Sequence, residues 1–101
     1  YREMWAALDE LAERVRALGE FAPASGKAFL DLASIDSAEA RPPAAEQMIK
    51  NLLAGHEALV RRARQAISIA AEVDDAASED LLTQRIQIHE KTAWMLRALT
   101  Q

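Results

Sequence analysis

Apolar residues recur at alternating spacings of four and three along residues 1–18, which is the pattern of a helix with one apolar face. Gly19 follows the last of them and predicts the end of this helix, because glycine readily adopts the left-handed conformation of a helix terminus. No Ser, Thr, Asp or Asn precedes the pattern as a cap, so we expect a helix that begins upstream of Tyr1. The apolar positions are Met4, Leu8, Leu11, Val15 and Leu18.

Two further helices are predicted in the middle of the chain. Ser25 is a suitable N-cap for a short helix that follows the loop around Pro23. A long amphipathic segment then covers residues 44–72. Pro43 is suited to the first turn of this long helix, since proline lacks the N–H that this position leaves unbonded.

The stretch DDAASED ends the long segment by interrupting its apolar pattern. Asp75 and Ser78 are candidate caps for a final helix, which continues to about residue 100. No strand pattern and no internal repeat competes with this interpretation. The sequence therefore predicts an all-α fold.

The three long helices are predicted to have unequal lengths. At 1.5 Å per residue they measure about 27 Å, about 43 Å and about 36 Å in chain order. An antiparallel bundle favours helices of similar length, because unmatched turns leave an apolar stripe uncovered. The mismatch favours a fourth helix outside these residues or a partner subunit.

The composition is typical of one soluble helical domain, because 101 residues fit a single core. A net charge of -4 argues against a nucleic-acid-binding surface, which needs a basic patch. The absence of cysteine excludes disulfides, iron–sulfur clusters and cysteine-based zinc sites. The chain contains no apolar run of about 18 residues and no charged leader followed by an apolar stretch. Neither a membrane span nor a signal peptide is therefore predicted.

The acids Asp9 and Glu13 are the first candidate metal ligands. Asp9 lies roughly 140° and Glu13 roughly 180° from the centre of the apolar sector of the first helix, so both are expected to point away from the core. This direction argues against a di-iron site inside the bundle, which would also need Glu-x-x-His motifs that His56 and His89 lack. The spacing alone favours two solvated charges, and it leaves open a subunit contact where oxygen donors bind iron(II), manganese or magnesium.

Three stretches of the chain resemble the Dps family, or miniferritins. LDELAERVRALGEFAP is similar to the helix-B signature of that family, in which D-x-x-A-E-R-[IV]-R-x-L-G recurs. GHEALVRRAR resembles the middle of its helix C, and DLLTQRIQIHEKTAWMLRAL resembles its helix D and C-terminus. Residues 25–34 match the small helix between B and C, so the resemblance covers essentially the whole chain.

This resemblance implies a ferritin-like four-helix bundle within a hollow homo-dodecamer, of which residues 1–101 form a single, N-terminally incomplete domain. Such cytoplasmic proteins oxidise iron(II), preferably with hydrogen peroxide, and store the ferric mineral. Their ferroxidase centre lies between two subunits, and its helix-B ligands fall on Asp9 and Glu13. The family's other ligands, two histidines and an aspartate, come from helix A and the start of helix B, which residues 1–101 do not contain. We expect either a longer protein, of which these residues are a part, or a second polypeptide to supply them.

The acids before the last helix have two interpretations. They could complement the positive end of the helix dipole as caps. In the resembling family, acids at this place line a threefold pore through which iron passes inward, and Asp80 matches best, followed by Asp75. A ring of carboxylates would concentrate cations there.

The remaining polar candidates favour structural roles. His56 and His89 lie on or beside apolar stripes, so we expect buried or interfacial histidines rather than metal ligands. Arg61, Arg62 and Arg64 are expected to form a salt-bridged helix surface, and no lysine-rich tail supports DNA binding. A DNA-condensing or structural cage subunit with an incomplete iron site stays an alternative function, as does a non-metal helical interaction module.

Overall fold

The computed structural model describes residues 1–101, and all of its regular structure is helical. This confirms the predicted all-α class. Four helices follow one another along the chain, joined by loops. They are α1 (Arg2–Ala17), α2 (Gly26–Leu32), α3 (Ala45–Glu72) and α4 (Ala76–Ala98).

The chain divides into two compact units, Tyr1–Ala33 and Ser34–Gln101. The first contains α1 and α2, and the second contains α3 and α4. That residues 1–101 form one ferritin-like domain stays a prediction.

Helix α1 ends where the glycine predicted it. Gly19 has a φ of 96°, its N–H bonds to the carbonyl of Arg16, and the N–H of Glu20 bonds to the carbonyl of Val15. These two bonds form a Schellman motif, which satisfies carbonyls at the end of the helix. At the other end, Tyr1 provides no side-chain cap, as predicted.

The predicted apolar face of α1 is only partly buried. The buried residue of the helix is Ala7, whereas Met4 is 42% exposed and Leu8 is 58% exposed. Leu11 and Val15 are half-buried. Residues 1–101 therefore bury only part of the apolar stripe of α1.

Helix α2 begins at the predicted cap. The hydroxyl of Ser25 accepts a hydrogen bond from the N–H of Ala28 at 3.1 Å. The cap satisfies one of the amide groups that the first turn leaves without a partner. No residue of α2 is buried.

Helices α3 and α4 form an antiparallel hairpin. Glu57 pairs with Arg97 and Arg64 pairs with Glu90, so residue numbers rise along α3 as they fall along α4. The prediction that Pro43 lies in the first turn of α3 was wrong. The helix begins at Ala45 with Ala44 as its N-cap, so the proline precedes the helix and fixes the entering backbone instead.

Half of the buried side chains in the whole chain are polar. The apolar ones are small or branched, namely Ala7, Val60, Ala70 and Ala93. The polar ones are His56, Ser78, Arg85 and His89, which all belong to the α3–α4 hairpin. No helix in the structure combines the length and the apolar character needed to cross a membrane.

Candidate functional site

The carboxylates of Asp9 and Glu13 lie on the exposed side of α1, as the helical pattern predicted. A separation of four residues places the two Cβ atoms about 5–6 Å apart on one face of a helix. Neither carboxylate makes a hydrogen bond or an ion pair within the chain. Both groups are therefore accessible to a cation.

The guanidinium of Arg16 is engaged away from this acid pair. It donates a hydrogen bond to the carbonyl of Glu20 at 3.1 Å and lies 4.5 Å from the centre of the Phe21 ring. A guanidinium over an aromatic face is held by the ring quadrupole. The like charges of Asp9 and Glu13 thus keep their mutual repulsion, which a bound cation would relieve.

The residues of this chain do not complete a metal site by themselves. No group of three or more His, Cys, Asp or Glu side chains is placed to hold a metal ion. Two carboxylates are fewer ligands than iron or zinc sites generally use. Asp9 and Glu13 could act as metal ligands only together with donors from outside residues 1–101.

The two histidines of the chain meet in the interior of the α3–α4 hairpin. His56 and His89 are 8% and 5% exposed, and their Nδ1 atoms lie 2.9 Å apart. The expectation of buried histidines is confirmed.

Arg85 completes this buried contact, and the apolar pattern of α4 did not reveal it. Its Nη2 lies 3.0 Å from the Nε2 of His89, one helical turn further along the chain, and Arg85 is 8% exposed. The spacing of four residues between an arginine and a histidine was the only signal in the sequence. We call His56, Arg85 and His89 the hairpin triad.

The acids at the start of α4 take different roles. Asp75 is the N-cap, and its carboxylate accepts hydrogen bonds from the N–H of Ser78 at 3.1 Å and from the Ser78 hydroxyl at 2.5 Å. This confirms the predicted cap. Asp80 is exposed and accepts one hydrogen bond, from the side-chain amide of Gln84 at 2.9 Å. Asp80 is therefore the more available carboxylate of the two.

Two basic side chains of the hairpin, Arg64 and Arg97, pair with acids across an open cleft of about 480 Å³. Arg64 binds Glu90 at 2.5 Å and Arg97 binds Glu57 at 2.9 Å, both between α3 and α4. The expected salt bridge is confirmed for Arg64 alone of the three arginines, since Arg61 and Arg62 pair with no acid and Arg62 donates a hydrogen bond to the side-chain oxygen of Gln65 at 3.4 Å. These guanidiniums and carboxylates largely neutralise one another, so the cleft offers little net charge to a nucleic acid.

Residues 1–101 match the ferritin-like domain family. A low temperature-induced protein from Nostoc sp. is 35% identical over 102 residues, which is 100% of this chain and 57% of the relative. DNA protection during starvation protein 2 of Bacillus anthracis is 36% identical over 98 residues, with coverage of 97% and 66%. The chain therefore spans about three fifths of the length of these relatives.

The X-ray structure of Dps from Thermosynechococcus elongatus is also similar to this fold. Its TM-score is 0.93 at 31% identity, over 99% of this chain and 63% of the other. The sequence relatives and the solved structure therefore both match nearly all of the residues described. The chain belongs to the ferritin-like domain family and, within it, to the Dps proteins.

Proposed function

We propose that the full-length protein oxidises iron(II), with hydrogen peroxide as the oxidant, and stores the ferric product inside a Dps-type dodecamer in the cytoplasm. Membership of the Dps proteins supports iron storage and protection against oxidative stress as the general function. The observation that carries the specific proposal is the exposed pair Asp9 and Glu13 on α1, which no cation of the chain neutralises.

Iron in this scheme is the substrate, and the two carboxylates are part of its binding site. Oxygen donors suit iron(II), and negative charge favours the ferric product more strongly than the ferrous substrate. One hydrogen peroxide accepts two electrons from two iron(II) ions and, with two protons, leaves as two waters. We expect the remaining ligands to come from outside residues 1–101, across a contact between two subunits.

The test is a double substitution, Asp9→Ala and Glu13→Ala, in the full-length protein. We expect ferroxidase turnover to be lost, because the substrate would lose both acidic ligands from one subunit, while the cage still assembles. The matched control is Glu10→Ala, which removes an exposed acid of the same helix from between the two positions. Normal iron oxidation by the double variant would contradict the site assignment.

We further propose that Asp80, together with Asp75 at the start of the same helix, guides iron toward the interior. Asp80 is exposed and carries the accessible charge, whereas Asp75 also holds the start of α4 through Ser78. Carboxylates gathered around a pore would raise the local concentration of cations.

A DNA-condensing or structural cage with an incomplete iron site is the second candidate. The name of the Bacillus anthracis relative, DNA protection during starvation protein 2, favours it. A gel-shift titration of the full-length cage with duplex DNA at low and physiological salt separates the two functions. DNA binding without iron oxidation would favour this second candidate.

A further inference from the structure

The hairpin triad places three ionisable side chains where α3 and α4 contact each other. His56, Arg85 and His89 are all less than a tenth exposed, and the two imidazoles form a side-chain hydrogen bond between the helices. Buried polar groups of this kind are stable only while their donors match their acceptors. The protonation state of the triad is therefore tied to the fold.

The direction of each hydrogen bond follows from the arginine. A guanidinium donates and never accepts, so the Nε2 of His89 is the acceptor of the bond from Arg85. The proton of a neutral His89 is then on Nδ1 and is donated to the Nδ1 of His56. Both Nε2 of His89 and Nδ1 of His56 are thus used as lone-pair acceptors.

A further proton at either acceptor would break the triad. On Nε2 of His89 it would set an imidazolium N–H against the Arg85 guanidinium, and on Nδ1 of His56 it would set two N–H groups against each other at 2.9 Å. The carboxylates next to the histidines in sequence do not offset this charge directly. Glu57 and Glu90 bind Arg97 and Arg64 at the exposed side of the hairpin.

We propose that the hairpin triad makes the α3–α4 hairpin an acid-sensitive switch, which is closed while both histidines are neutral and loosens when one is protonated. The proposal rests on contacts of the hairpin and is independent of iron chemistry. A histidine of the unfolded chain ionises near about pH 6.5, so below this value the unfolded state takes up protons that the closed hairpin excludes.

The stability of the closed hairpin should fall as the pH decreases. Because the unfolded state binds more protons than the closed state in mild acid, stability is complete above about pH 6.5 and falls as the pH decreases. For two histidines, each adding about tenfold, the unfolding equilibrium constant should rise about a hundredfold between pH 7.5 and 5.5. Other titrating groups also change the unfolding constant with pH. Comparison with a variant that lacks only the two histidines cancels their contribution.

The experiment compares urea denaturation of the full-length protein with that of a His56→Leu/His89→Leu variant at pH 7.5 and 5.5. The variant removes both titrating imidazoles and fills their buried positions with apolar side chains. We expect the rise in the unfolding constant to be about a hundredfold larger in the unsubstituted protein. Glu90→Gln, which removes an exposed interhelical charge pair, should leave that difference unchanged. Equal pH dependence of the unsubstituted and double-leucine proteins would overturn the proposal.

A second measurement needs no variant. Hydrogen exchange of the unsubstituted protein, corrected for the intrinsic effect of pH, should show lower protection of α3 and α4 amides at pH 5.5 than at pH 7.5. Unchanged protection of both helices across this range would also overturn the proposal.

Discussion

The Nδ1 atom of His56 lies 2.9 Å from the Nδ1 atom of His89, and this contact joins α3 to α4 inside the hairpin. The two residues are 33 positions apart in the sequence, so only the fold brings them together. Arg85 fixes which of the two rings donates the shared proton.

The two single substitutions in this pair should together cost more stability than the double substitution does. His89→Leu removes the donor to the buried Nδ1 of His56, and we expect it to lower the free energy of unfolding by about 1–3 kcal/mol. In the His56→Leu/His89→Leu protein that loss should be recovered in part. A double-mutant cycle by urea denaturation at pH 7.5 should give a coupling of about 0.5–3 kcal/mol. Strictly additive effects would show that the contact is not stabilising.

The N-cap of α4 should have a measurable effect on stability. Asp75→Ala removes the acceptor of two hydrogen bonds from Ser78, so we expect a loss of about 0.5–2 kcal/mol in the free energy of unfolding. Asp75→Asn is the control, because its side-chain oxygen still accepts the backbone N–H of Ser78. Thermal denaturation of both variants measures the difference, and equal losses would indicate that the charge rather than the cap stabilises this turn.

The turn between α3 and α4 contains a backbone position that favours glycine. Asp74 has a φ of 57°, and it closes α3 with hydrogen bonds from Asp74 N–H to Ala71 and from Asp75 N–H to Ala70. Asp74→Gly should relieve the conformational cost of a side chain there and raise the free energy of unfolding by about 0.5–1 kcal/mol. Calorimetry would show a higher Tm, and a lower Tm would mean that the aspartate makes a stabilising contact that outweighs the backbone strain.

Asp80 should influence how fast iron enters the assembled protein. In the full-length cage, Asp80→Asn is expected to slow iron uptake at low ionic strength, because one carboxylate per subunit is removed from the proposed pore. The difference should shrink at higher ionic strength, where the Debye length falls to about 10 Å or less. Stopped-flow iron oxidation is the measurement, with Asp36→Asn, another exposed acid, as the charge-matched control. Identical slowing in both variants would contradict a local role for Asp80.

Local features of the fold were predictable because they depend on neighbouring residues. Gly19 ends α1 and Ser25 caps α2, since each needs only the backbone within five residues of it. The outward direction of Asp9 and Glu13 also followed from the helical repeat alone. Their proposed role as iron ligands depends on the resemblance to the Dps family and stays a prediction.

Features that depend on how helices meet were not predictable. The buried position of Arg85 and the histidine contact require the alignment of α3 with α4, which helical periodicity does not specify. The partial exposure of Met4 and Leu8 has the same origin, because the spacing of apolar residues identifies the apolar face of a helix but not how much of that face is covered.

Because alanines predominate among the buried apolar residues, the histidine contact also bears on how α3 and α4 align during folding. Ala70 and Ala93 present smooth surfaces that would tolerate sliding of one helix along the other. A shift of α4 by one turn would move its imidazole about 5.4 Å along the axis and leave the partner ring facing the wrong side chain. We therefore expect the polar contact to favour one register of the hairpin over others that the alanines alone would accept, as a buried asparagine does in a coiled coil.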